Sequence, residues 1–226
     1  PEHLDPKKYA ITLGVKAATH ETLILTDADC LPASDHWLKE IQQSAVEHEI
    51  VLGYSGYKKE KGFLNYFIRF ETLWTGMQYL SFGALGWPYM GVGRNLSYKK
   101  SAFLRVKGFN GYQDITGGDD DLIVQKLSNK SNTIVKLNER SKTISIPKSS
   151  LKEFVKQKLR HLSVGKYYSF RSKIGLSVWT ISHLLIWVLF IWLAILRIEL
   201  YLIAGIFLIR TLLFYFTFNR TSNILG

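Results

Sequence analysis

Thr22-Leu23-Ile24-Leu25-Thr26-Asp27-Ala28-Asp29-Cys30 is the stretch that decides the fold. A short run of apolar, β-favouring residues leads straight into two carboxylates spaced i, i+2. Such a run reads as a buried parallel strand, and in open α/β sheets ligands sit outside the carboxyl ends of such strands. A bend at 27–29 turns both carboxylates towards one site. Hard divalent cations that bind phosphates need only one or two carboxylates and keep the rest of their shell for water and phosphate oxygens. Asp27 and Asp29 therefore read as a metal–diphosphate seat, or more simply as a polar turn, since Asp is common in turns.

Upstream of this stretch, residues 1–8 are polar, and residues 9–18 place Ala10, Leu13 and Ala17 on one side at helical spacing. One helix and one strand cannot complete a parallel sheet, so the first strands of the domain are expected outside this chain. Downstream, residues 37–47 predict an amphipathic helix and 50–57 a strand. Residues 63–82 are rich in aromatics and suit either the membrane interface or a core helix. Residues 84–98 are glycine-rich and irregular, ending in a short strand. Gly91 and Gly93 there are not part of a phosphate loop, because no GxxxxGK[ST] surrounds them. They fit places where backbone approaches a ligand or another strand closely.

A short helix is expected over 101–106 and a loop over 109–118. The acids Asp119, Asp120 and Asp121 then open a helix over 119–127, where the dipole favours negative charge. Three adjacent acids exceed what capping requires. Their repulsion raises at least one proton affinity, a usual way of making a base. Short strands are predicted at 133–137 and 143–146. Ser149 and Ser150 can cap a basic helix over 151–162, whose Arg160 and His161 are suited to gripping phosphate.

The 226 residues carry a net charge of +11 and 47% hydrophobic residues, much of the latter in two runs, about 174–196 and 200–218. Each run approaches the ~20 residues that cross a bilayer, and soluble core helices rarely stay apolar on every face for so long. The pair predicts a tight transmembrane hairpin. Arg210, inside the second run, marks a contact between the helices or a re-entrant segment, because a mid-span Arg costs ~2.5–3.5 kcal/mol. Lys166, Arg171 and Lys173 before the first run and Arg220 after the second place both flanks in the cytoplasm, beside anionic lipid head groups. The positive charge is scattered and no base-reading motif accompanies it, so no nucleic-acid partner is expected. The single cysteine, Cys30, excludes an intrachain disulfide and reads as a small buried residue.

The motifs TDADC, GVGRN, GGDDDL and QKLRH, in that order and followed by a hairpin, closely resemble the family 2 glycosyltransferases of the GT-A fold, in particular the bacterial membrane-anchored members. The resemblance covers nearly the whole chain from about Lys7. It implies a Rossmann-like α/β catalytic domain with a mostly parallel sheet over residues 1–165. A juxtamembrane segment and two transmembrane helices would follow over 166–226. It implies that Asp29 binds Mg²⁺ or Mn²⁺ bridging the donor diphosphate, with Asp27 contacting the nucleotide sugar or supporting the metal. Lys8, in PKKYAITLGVKAA, would face the nucleotide. Asp119 matches the base of the EDxDL motif, with Gly118 in place of Glu and Asp120 as the alternative. Gly93, Arg94, Asn95 and Asp120 would lie by the acceptor.

Gln157 to His161 resembles QxxRW. Arg160 matches and would bind the donor. His161 replaces the Trp associated with processive synthases, and it would complete the metal shell as a late His does in some GT-A enzymes. The implied activity is inverting, hexosyl-type transfer from a nucleotide-sugar donor to a lipid-linked or envelope glycan acceptor. The implied location is the inner (plasma) membrane, multi-pass, with a cytoplasmic catalytic domain. The residues also leave open a membrane nucleotidyl- or phospho-transferase, and a non-catalytic membrane scaffold that keeps the fold.

Overall fold

In the computed structural model, residues 5–225 are described; residues 1–4, half of the expected polar lead, lie outside them. The chain separates into a unit ending at Tyr168 and a second unit, Ser169–Asn223.

The first unit is mixed α/β. Helix α1 (Pro6–Ala17) starts where Asp5 accepts the Lys8 amide and Pro6 pre-sets the first turn. It leads to β1 (Thr22–Leu25), β2 (Cys30–Pro32), α2 (Trp37–Glu47), β3 (Ile50–Leu52), β4 (Ser55–Tyr57) and α3 (Phe63–Ala84). β5 (Leu96–Lys99), α4 (Lys100–Arg105), α5 (Asp121–Leu127), β6 (Thr133–Val135), β7 (Thr143–Ser145) and α6 (Leu151–Val164) complete it. The larger sheet has the order β1-β5-β3-β6 and the smaller β2-β7-β4. Ile50, Val51, Leu52, Leu96 and Tyr98 are buried at the centre of the larger sheet.

The expectation of a mostly parallel sheet needs correction. β5 runs antiparallel to both β1 and β3, and only the β3–β6 pairing of that sheet is parallel. β1, β3 and β6 still point the same way; β5 alone is reversed, inserted between β1 and β3. β1 is also an edge strand of half-buried residues rather than a fully buried one. A run of largely apolar residues, Thr22–Leu25, reported burial, and pairing direction leaves no trace in apolarity.

The strand expected over 50–57 divides into β3 and β4, which belong to different sheets. Backbone groups of Gly53 and Tyr54 leave the ladder for other partners. The Gly53 amide donates to the Asn95 carbonyl at 3.0 Å, the Tyr79 hydroxyl donates to the Gly53 carbonyl at 2.7 Å, and Asn95 Nδ2 donates to the Tyr54 carbonyl at 2.7 Å. Satisfied in this way, a buried backbone can change sheets without cost.

In the second unit α7 (Phe170–Ile195) and α8 (Leu200–Leu225) are both long and apolar enough to cross a membrane. Phe207 stacks on Phe190 with centroids 4.2 Å apart and meets Trp187 edge-on at 4.8 Å. Arg210 lies over the Trp187 ring, 5.9 Å from its centroid. The awkward cation therefore sits at a contact between the two helices, where an aromatic face stabilises it.

Candidate active site

After β1 the backbone turns, with the Cys30 amide donating to the Asp27 carbonyl at 3.0 Å. This is the bend that presents Asp27 and Asp29. Asp29 is exposed and Asp27 half-buried. Cys30 is buried, its thiol donating to Asp29 at 3.6 Å, and burial raises the thiol's pKa.

The acid triplet divides its labour. Helix α5 begins at Asp121, so Asp119 and Asp120 precede it rather than open it as expected. Asp120 Oδ1 caps the helix by accepting the Asp121 amide at 2.9 Å, and Oδ2 accepts the Gly93 amide at 2.8 Å. Asp120 thereby fixes the GVGRN segment against the triplet. Asp121 is buried, its Oδ2 accepting the Tyr168 hydroxyl. Burial first, then repulsion from Asp120, holds its carboxyl well above the usual range. Asp119 is 8% exposed. Burial and the neighbouring Asp120 raise its pKa, while Lys7 works in the opposite direction.

Lys7 joins the two motifs. Its Nζ lies 2.9 Å from Asp27 Oδ1 and 2.9 Å from Asp119 Oδ2. Although burial works against its charge, Asp119 and then Asp27 raise the Lys7 ammonium above its ordinary range. Gly93 closes the cluster: a Cβ there would lie 3.5 Å from Asp119 Oδ2, Asp120 Oδ2 and Lys7 Nζ. Lys7, Asp27, Gly93 and Asp119 form the polar end of a cavity of about 580 Å³, whose remainder is lined mainly by β1 and one face of α1.

Lys7 was not singled out by sequence reasoning, although Lys7, Ile11, Gly14 and Ala18 fall on one helical face and all line the cavity. Lys8, the residue expected to face the nucleotide, is instead buried, its ammonium donating to the carbonyls of Ile115 and Gly117. It braces the loop ahead of Asp119. Adjacent helical residues point about 100° apart, so only one of the pair can reach the carboxylates.

Asn95 also departs from expectation. It is 1% exposed. Its Nδ2 donates to the carbonyls of Tyr54 and Ser141 at 2.7 and 2.8 Å, and its Oδ1 accepts from Trp37 Nε1 at 3.1 Å. Those bonds leave it no means of touching an acceptor. Arg94 places its guanidinium over the Tyr57 ring, 4.6 Å from the centroid. Its carbonyl accepts the hydroxyls of Thr26 and Thr143 at 3.1 and 3.0 Å.

Ser150 caps α6. Arg160 is exposed, close enough to Gly117 that a Cβ there would meet its stem at 3.8 Å. His161 keeps solvent contact. The dense protein around its ring first, then the cations Lys158, Arg160 and Arg94, push its pKa down to about 4. Among the described residues no three His, Cys, Asp or Glu side chains converge on a common point. The expected set Asp27, Asp29 and His161 is therefore not assembled, and the cations around His161 disfavour a metal beside it. The carboxylate pair at the turn remains, Asp29 exposed and Asp27 half-buried, of the hard-oxygen kind that suits Mg²⁺ or Mn²⁺ with substrate phosphates completing the shell.

Gly118 adopts φ +71°, and a Cβ there would meet Val164 Cγ1 at 2.7 Å. A Glu would be strained in backbone and side chain alike, which explains the departure from EDxDL.

The family model described as glycosyl transferase family group 2 matches residues 22–219, spanning the turn carboxylates, the acid triplet, α6 and nearly all of the two apolar helices. No curated protein matches the chain.

Proposed function

The chain belongs to glycosyl transferase family group 2, and from that premise we propose an inverting, metal-dependent hexosyl transfer. The donor is a nucleotide sugar, and the acceptor a membrane-proximal glycan or lipid-linked sugar. Asp119 is the base. The observation that carries this reading is the single Lys7 ammonium held 2.9 Å from both Asp27 and Asp119, because it makes one site of the donor turn and the base.

The acceptor hydroxyl attacks the anomeric carbon while Asp119 takes its proton; the bond from that carbon to the nucleoside diphosphate breaks on the opposite face, and the centre inverts. Asp119 starts with a raised pKa, which suits a base working near neutrality. Lys7 keeps it ionised before attack. Asp120 holds Gly93 and the triplet in register and touches no substrate. A divalent cation on Asp27 and Asp29 would neutralise the charge gained by the departing diphosphate. Lys7 adds fixed positive charge at the carboxylate end of the site, the kind of pre-oriented electrostatics that lowers such barriers. The two apolar helices hold the site at a membrane, and the basic flanks orient it towards the cytoplasmic face of the inner membrane.

Asp119→Asn tests the reading. Nucleotide affinity is expected to stay within about twofold while transfer falls at least ~100-fold, the lower end of what a positioned base contributes. Near-normal turnover would remove Asp119 from the chemistry.

A further inference from the structure

Resting on the reading of Asp119 as the base, we propose that Tyr168 is a positioning residue of the transfer step: its hydroxyl, through Asp121, fixes the turn that carries Asp119 and so aims the base at the acceptor hydroxyl. The juxtaposition is close. Tyr168 Oη donates to Asp121 Oδ2 at 2.5 Å, and Asp120 alone stands between Asp121 and Asp119 in the chain.

Capping does not explain the carboxyl of Asp121, because Asp120 already caps α5. Leu122, Ile123 and Val124, which follow it, are buried apolar residues. A carboxyl buried beside them is costly unless a donor meets it. Tyr168 is that donor. Burial first, then the neighbouring Asp121, hold its phenol far above the ordinary range, so it keeps its proton. A buried carboxyl with one firm donor has one direction, and it fixes the first turn of α5 and the residues leading into it.

Tyr168 is itself held on several sides. Its amide donates to the Gly165 carbonyl at 3.2 Å, in the turn that follows α6. Just before that turn, Val164 is buried so close to the triplet that a Cβ on Gly117 would meet its Cγ2 at 3.6 Å. The Tyr168 ring lies against that of Tyr89, with centroids 6.0 Å apart, and the Tyr89 hydroxyl donates to Gln78 Oε1 on α3 at 2.9 Å. Tyr89 stands four residues before Gly93, whose amide Asp120 accepts. Tyr168 thus backs the acid triplet with its hydroxyl and the GVGRN segment with its ring. Lys7 and Asp27, at the donor end, lie outside this set of contacts. Loss of the hydroxyl therefore slackens the base and spares the donor seat, and a displacement of ~1 Å is enough to cost up to ~100-fold in rate.

The test compares the full chain with Tyr168→Phe, Asp121→Ala, the double variant and Asp119→Asn, each in vesicles of bacterial total membrane lipid, which supply the acceptor. Release of nucleoside diphosphate is followed with UDP-glucose, UDP-N-acetylglucosamine and GDP-mannose. Tyr168→Phe is expected to lower kcat at least about tenfold and to leave the donor KM within about twofold. If Tyr168 acts through Asp121, the double variant stays within about twofold of Asp121→Ala. An unchanged kcat in Tyr168→Phe, a loss confined to KM, or full additivity in the double variant overturns the proposal. Amide hydrogen exchange reads the same bond without donor or acceptor. In Tyr168→Phe, exchange over 117–124 should quicken at least about tenfold while that over 37–47, on α2, stays within about twofold. Unchanged exchange over 117–124 overturns the proposal whatever the turnover. Asp119→Asn judges the base separately: normal turnover there refutes Asp119, whereas lost turnover there with an unaffected Tyr168→Phe refutes the positioning role alone.

Discussion

At the scale of single residues, one ammonium, that of Lys7, bridges Asp27 and Asp119 in the proposed site. Lys7 stabilises the ionised form of Asp119, so removing it raises the pKa of a carboxyl that is already high. Lys7→Met is expected to move the acid limb of the transfer rate to higher pH, so that activity at pH 6 falls more than activity at pH 8. An unchanged pH profile would mean that Lys7 serves Asp27 alone. Gly118 bears on the backbone beneath Asp119. Gly118→Ala places a side chain at φ +71° and should cost about 1–3 kcal/mol, read as a lower melting temperature. The bend at Asp27 was legible because Asp-rich turns are written in residue type and spacing. Lys7 and Lys8 were not told apart: both are lysines, and one 100° step on α1 separates a group on the carboxylates from one clamping loop carbonyls. Asn95 was misread for a related reason. A polar residue beside a glycine-rich segment looks available until its three hydrogen bonds are known.

At the scale of elements, helices were legible and pairings were not. Residues 37–47 gave α2 to the residue, because an apolar stripe at helical period is local information. The division of 50–57 between two sheets depends on Asn95, some 40 residues away, and no local pattern carries it. Asn95→Leu removes the donor to Tyr54 and Ser141 and the acceptor of Trp37 in a buried place, and is expected to destabilise the fold by about 2–4 kcal/mol. Chemical denaturation measures it. If the variant instead kept full stability and lost only acceptor affinity, Asn95 would be a binding residue after all. The reversal of β5 is likewise a tertiary fact. The aromatic segment left open between membrane interface and core is a helix whose Ile68, Leu73, Tyr79 and Leu80 are buried, while its first turns expose an aromatic stripe.

At the scale of the molecule, composition told most. Two apolar runs became two 26-residue helices, and the order of four weak motifs proved sufficient for the family. No motif alone would have been enough, since Asp-x-Asp and Gly-x-Gly also describe ordinary turns. The central claim is that the carboxylate turn after β1 seats a metal–nucleotide diphosphate. The most direct measurement is the melting temperature of the detergent-solubilised full chain titrated with UDP, GDP or CMP, with and without Mn²⁺, in parallel with Asp29→Ala. One nucleotide, and only with Mn²⁺, should stabilise the native protein, by about 2.7 kcal/mol at a hundred times its Kd, and Asp29→Ala should abolish that shift. No shift with any nucleotide, or the same shift in Asp29→Ala, would contradict the account.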